Sequence, residues 1–180
     1  MTENDLFENA LLGLLCPGPV HGYELALHFD ASGDLAAVGR LGKSQVYALL
    51  KSLEGHGFVE ARLHEGVGGP PRRVLSITRP GRERFADWVR RPVRSIRALR
   101  VEFVLKLYFF EKLKLDGLDG SLKAQAAALE ERLAELRTAT GSASGVGSRV
   151  LSLQEKLVRA GLEWVSEQSV GLGPDTESEP

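Results

Sequence analysis

A mainly α chain carrying one small β-hairpin is the fold class this sequence predicts, and three observations carry the prediction. Apolar residues recur at helical spacing through most of the 180 residues. The stretch 42–78, GKSQVYALLKSLEGHGFVEARLHEGVGGPPRRVLSIT, breaks that pattern with two short alternating runs around a Gly/Pro tip. Those runs follow directly on a helix with a clean apolar stripe. A helix beside a basic-flanked hairpin is what a winged helix-turn-helix presents to DNA, with the helix in the major groove and the hairpin reaching backbone or minor groove. The expected organisation is a winged helix-turn-helix DNA-binding domain over 1–92, a helical dimerisation domain over 93–169, and a disordered acidic tail over 170–180.

Residues 5–15 place Leu6, Ala10, Leu11 and Leu14 on one helical face and end before the breaker Pro17-Gly18-Pro19. A second helix, HGYELALHF, offers Tyr23, Leu25, Ala26 and Phe29 for burial. The glycine-bearing stretch 31–42 reads as a loop with a short helical turn. Over about 43–55, Val46, Leu49, Leu50 and Leu53 form one stripe. At 100° per residue, Ser44, Tyr47, Ala48 and Lys51 stand opposite, with Ser52 at the margin. Gly55-His56-Gly57 suits a helix C-terminus. Phe58–His64 alternates, with Val59, Ala61 and Leu63 on one face. The tip EGVGGPP cannot pair as strand, and Arg72–Ile77 returns with Arg73, Leu75 and Ile77 in register. Thr78 is placed to cap the helix that follows, with Pro80 in its first turn.

Helix continues over 82–91 to Pro92. The stretch 95–113 is apolar on several faces, which implies burial on more than one side. Beyond the break at 116–120, Leu122, Ala126, Leu129, Leu133 and Leu136 follow a coiled-coil-like period. A linker, TGSASGVGS, precedes a last helix with two stripes: Val150, Leu153, Leu157, Gly161 and Trp164 on one, Leu151, Val158, Leu162 and Val165 on the other. Two helices with such wide apolar faces exceed what one small domain needs. Leu129, Leu133, Leu136, Val150, Leu153, Leu157 and Trp164 are therefore the expected homodimer contacts.

The formal net charge is −1, yet between Arg40 and Arg91 eleven Lys/Arg meet five Asp/Glu. DNA responds to nearby charge, so this local surplus of six is what electrostatic binding requires. Lys43, Ser44, Gln45, Tyr47 and Lys51 on the helix, with Arg72 and Arg73 on the hairpin, are the expected DNA contacts. Lys51 reaches phosphate or guanine, while Ser44, Gln45 and Tyr47 donate to phosphates or base edges. Trp88, Phe103 and Tyr108 supply an aromatic wall for a small aromatic effector, although three aromatics in an apolar helical stretch are most simply core.

Enzymatic readings are poor. Cys16 alone permits no internal disulfide, fits a reducing cytoplasm, and reads as a small buried hydrophobe at a helix end. His21, His28, His56 and His64 lack metal-ligand spacing, so no metal or other cofactor is expected. GVGGPP joins two strands and lacks a following Lys-Ser/Thr, so it is not a phosphate loop. The acidic, polar opening MTENDLFEN is unlike a secretory leader, and FVLKLYFF is too short to span a bilayer, so no membrane partner is expected. Two classes remain: a DNA-binding regulator, and a winged-helix protein–protein interaction module without DNA binding. The basic hairpin and helix face favour the first.

In order along the chain, LLGLL, HGYEL, VYALLKSLEGHGFVEAR and GGPPRRVLSIT with Gly81 resemble the winged-helix domain of PadR-type transcriptional regulators. The helical second half is similar to the longer C-terminal domain of the branch that also contains virulence-gene activators. The resemblance implies a homodimer on a palindromic double-stranded DNA operator, usually a repressor and in some members responsive to a small molecule. Tyr47 matches the tyrosine of the family's recognition helix, and Arg72-Arg73 its basic wing pair. Lys43 and Ala48 stand where prolines are common, Ser52 where a basic residue is common, and Val74-Leu75 where the wing usually carries aromatics.

Overall fold

The computed structural model describes residues 3–64, 72–142 and 144–170. In chain order these form α1 (Glu3–Leu15), β1 (Val20–His21), α2 (Gly22–Leu27), α3 (Lys43–Gly55), β2 (Val59–His64), β3 (Arg72–Ile77) and α4 (Arg79–Arg90). They continue as α5 (Ile96–Ala98), a π-helical turn (Leu99–Phe103), α6 (Val104–Lys112), α7 (Leu118–Ser142) and α8 (Gly145–Val170). Two compact units result: Met1–Arg90 with Tyr108–Lys114, and Arg91–Leu107 with Leu115–Pro180. The EGVGGPP tip and the tail beyond residue 170 lie outside the described residues.

In the first unit, α1 is buried along its whole inner length, from Leu6 to Leu15. Its two buried polar positions are anchored. Asn9 Nδ2 donates to the Asp5 carbonyl at 2.8 Å, and the Glu8 carboxylate takes Arg84 of α4 at 2.8 Å and Ser52 of α3 at 2.8 Å. Arg84 also lies 4.8 Å over the Phe58 ring. The network ties three helices together, and both carboxylate oxygens are satisfied, as a buried charge requires. Ser52 therefore packs toward α1; at this position the chain has an internal anchor.

The hairpin pairs antiparallel, with Val59 opposite Ile77, Ala61 opposite Leu75 and Leu63 opposite Arg73. β1 adds a third strand by pairing Val20 with Leu75, so the sheet order is β1-β3-β2. Sequence reading missed this strand because two residues carry no period. Val59, Leu75 and Ile77 are buried, whereas Leu63, two residues further out on the same face, has passed the edge of the core and is 72% exposed. Thr78 caps α4 as expected: its Oγ1 accepts from Gly81 N–H at 3.2 Å and donates to the Gly57 carbonyl at 2.7 Å.

In the second unit, Leu122, Leu129, Leu133 and Leu136 of α7 form one buried cluster with Val158 and Val165 of α8, with Leu151, Leu162 and Trp164 packed against it. This revises the expected dimer contacts. Leu129, Leu133 and Leu136 serve the chain's own core, and Trp164 packs beside it. Val150, Leu153 and Leu157 stay exposed, joined by Val146 four residues upstream. At Gly161 a Cβ would lie 2.6 Å from Leu99 Cδ2, so the absence of a side chain lets α8 approach the π-helical turn. Most of the expected linker is helical, since α7 runs to Ser142 and α8 begins at Gly145.

Two buried polar side chains complete this unit. Gln125 accepts from Val93 N–H at 2.8 Å and donates to the Val93 carbonyl at 2.7 Å, satisfying both backbone groups just after Pro92. Lys106 donates to the Arg91 carbonyl at 2.6 Å and pairs with Glu102 at 2.7 Å. Burial pushes its ammonium below the ordinary lysine range against the pull of Glu102.

Candidate nucleic-acid interface

Helix α3 splits cleanly. Val46, Leu49, Leu50 and Leu53 are buried, while Lys43, Ser44, Gln45, Tyr47, Ala48 and Lys51 face solvent. Burying four apolar side chains fixes the rotation of the helix at about 2 kcal/mol each, so the outer face is presented in one orientation. Gln45 is partly committed: its Oε1 accepts from Gly42 N–H at 2.9 Å, the return half of a capping box. Its amide nitrogen is the end left for a partner. At the other terminus Gly57 takes φ 75°, a left-handed value that favours glycine, and Phe58 N–H closes on the Leu53 carbonyl at 2.9 Å. That turn launches β2.

The hairpin arginines separate. Arg73 sits on the core-facing side of β3, and its guanidinium pairs with Glu54 in the last turn of α3. The backbone of Arg72 pairs with His64, and its side chain lies outside the described residues. Sequence reading placed both arginines at the hairpin but missed Glu54 as a partner, because the helix–strand approach is tertiary. On the outer face of β2, Arg62 and Glu60 approach at 3.2 Å.

Tyr47, Lys51 and Arg73 meet around a cavity of about 470 Å³ that is also lined by His21, Gly22, Tyr23, Leu50 and Leu75. Tyr23 and Tyr47 are 52% and 49% exposed, unusual for side chains whose rings gain from burial. His21 donates through Nδ1 to the Arg73 carbonyl at 3.2 Å, and its ring stacks on Tyr23 with centroids 6.0 Å apart. A Cβ on Gly22 would lie 2.9 Å from Tyr47 Cε1, so glycine lets that ring lie against the start of α2. His21 and Tyr23 escaped sequence reading, which gave Tyr23 to the core. The helical period could have found the tyrosine, since Leu25 and Ala26 already fill the buried side.

The aromatic wall expected of Trp88, Phe103 and Tyr108 is divided. Trp88 is buried in the first unit against Phe85 and Phe109, and Phe103 in the core of the second. Tyr108 stacks edge-on to Phe109 and donates its hydroxyl to Asp34, which also holds His28 at 2.6 Å and Lys112 at 2.9 Å. Partial burial opposes charge on Asp34, but the three hydrogen bonds outweigh it and hold the carboxyl well below the usual range. Burial, with the Asp34 contact, pushes the Tyr108 phenol up. Cys16 is half-buried with its thiol donating to the Leu12 carbonyl at 3.4 Å; burial raises its pKa, opposed by Arg82. Among the described residues no helix is long and apolar enough to cross a membrane, and no three His, Cys, Asp or Glu side chains gather as a metal site.

Comparison with known proteins accords with this geometry. The model of the Transcriptional regulator PadR-like family matches residues 11–87, which hold α2, α3 and the hairpin. The negative transcriptional regulator PadR of Bacillus subtilis is 29% identical over 133 residues, covering 74% of this chain and 70% of that protein. A Mycobacterium tuberculosis protein named "Probable transcriptional regulator" is 32% identical over 89 residues, 49% of this chain and 46% of its own. Among solved structures, B. subtilis PadR with operator DNA aligns at 22% identity and a TM-score of 0.46, covering 92% of this chain and 97% of that one. The same protein with p-coumaric acid aligns at 21% and 0.43, covering 97% and 99%. Over residues 11–87, its winged-helix region, the chain matches the PadR-like family of transcriptional regulators.

Proposed function

We propose that this protein is a cytoplasmic homodimeric repressor that reads a palindromic operator with α3 and steadies itself through the β2–β3 hairpin. The observation that carries the reading is the α3 face. Lys43, Ser44, Tyr47 and Lys51 point outward from a helix whose opposite side is locked into the core, with Arg73 beside them. A two-fold dimer sets two such helices about 34 Å apart, one turn of DNA. The exposed stripe Val146, Val150, Leu153 and Leu157 supports a second copy of the chain as partner, because spacings of 4, 3 and 4 place all four on one side of α8. Negative regulation follows the function of the B. subtilis relative, and that relative's p-coumaric acid complex supports a small aromatic effector here.

The test is operator binding by fluorescence anisotropy, starting from DNA upstream of the protein's own gene. Tyr47→Ala and Lys51→Ala should each weaken binding by about 1–3 kcal/mol with an unchanged circular dichroism spectrum. Unchanged affinity in both variants sinks the assignment of α3. Titration with p-coumaric acid, with and without operator, tests the effector; affinity that does not move removes it.

A further inference from the structure

We infer that the cavity between the start of α2 and α3 seats one backbone phosphate of duplex DNA, which makes Tyr23 a DNA contact outside both the recognition helix and the hairpin. The inference rests on the DNA-binding reading above and deepens it. Among the described lining residues the polar ends are the Lys51 ammonium, the Arg73 guanidinium, the Tyr23 and Tyr47 phenols and the His21 imidazole; none is a carboxylate, although Arg73 is shared with Glu54 beside the cavity. Lys and Arg only donate hydrogen bonds, and phenols donate readily. Phosphate oxygens only accept and carry negative charge, whereas adenine and cytosine edges present donors and the acceptor-only guanine and thymine edges are uncharged, so a cationic, donor-rich rim favours the backbone.

The floor is apolar. Leu50 and Leu75 are each 4% exposed, and a deoxyribose edge offers carbon to carbon where a free anion would offer nothing. The two aromatic walls are built in place: His21 stacks on Tyr23, and Gly22 admits the Tyr47 ring. In helix-turn-helix docking the helix before the recognition helix crosses the backbone, and the cavity opens where those two helices meet.

The test uses the full-length chain with two duplexes about 30 base pairs long, the selected operator and an arbitrary sequence. Tyr23→Phe removes one hydroxyl from a half-exposed ring and should weaken both duplexes alike, by about three- to tenfold. The slope of log affinity against log salt should stay unchanged, because a phenol displaces no counterion; Lys51→Ala should lower it. Gly22→Ala, which displaces the Tyr47 wall, should weaken both duplexes with the fold retained by circular dichroism. Scanning the operator with single neutral methylphosphonate linkages should find one linkage per half-site whose neutralisation weakens the native chain but costs Tyr23→Phe much less. If the native chain binds and Lys51→Ala weakens it, but Tyr23→Phe and Gly22→Ala bind within twofold of native, the seat is overturned and the DNA reading stands. A native chain that binds neither duplex overturns both.

Discussion

Glu54 holds Arg73, the hairpin guanidinium proposed to reach DNA, so Glu54→Gln should strengthen DNA binding. Arg73 and Glu54 pair at the rim of the α3 face with 54% and 35% of their side chains exposed. A solvent-facing ion pair contributes about 0.2–1 kcal/mol, so its loss should leave the fold intact. The same carboxylate competes with phosphate for Arg73. Releasing it should therefore raise affinity by about two- to fivefold per DNA-bound protomer, on the scale of 1.36 kcal/mol per tenfold. An arginine newly engaged with phosphate adds about 0.9 to the salt slope, so the two- to fivefold gain measured at about 50 mM salt should fall to little or none by about 150 mM. Anisotropy titrations across a salt series measure both quantities. In the double variant with Arg73→Ala the gain should vanish, because the two changes act through one group. Equal or weaker binding by Glu54→Gln with an unaltered slope would refute the reasoning, and Arg73 would then be a strut between β3 and α3.

Four further perturbations separate fold from function. Leu153→Glu alters a residue that is 58% exposed, so the chain should stay folded while sedimentation at micromolar concentration shifts from dimer to monomer and operator affinity falls. Leu129→Ala, at a position with 0% exposure, should instead cost about 2–5 kcal/mol in urea unfolding. Gly81→Ala places a Cβ 2.2 Å from the Phe58 carbonyl oxygen, and the forced shift between α4 and the α3–β2 turn should lower stability by about 1–3 kcal/mol. Asp34→Asn removes a carboxylate whose folded pKa is depressed. The native chain's advantage should be present above the ordinary carboxyl range and fade as pH falls through about 4 toward the folded value; a constant difference between pH 3 and pH 7, roughly, would contradict that sign.

How far the sequence could be read depended on whether a feature is set by neighbours along the chain or across it. The α3 stripe, the Gly57 turn, the Thr78 cap and the β2–β3 register are local, and each follows from spacing or backbone preference. The Glu54–Arg73 pair, the Ser52–Glu8–Arg84 anchor and the walls that His21 and Tyr23 give the cavity join residues 19 to 76 positions apart or lie on elements too short to show a period. Helix α8 shows the limit most clearly. Its two apolar stripes are nearly equal in size and hydrophobicity, so periodicity cannot say which one the chain keeps for itself. The structure spends Val158 and Val165 on α7 and leaves Val150, Leu153 and Leu157 outside. Solvent-facing aliphatic residues scattered singly need no explanation, but four on one helical side are a surface that the described residues leave open and that a second chain can bury. A regulator that needs two α3 faces at fixed spacing has a use for that surface, so the stripe sequence could not rank is the one on which the proposed dimer depends.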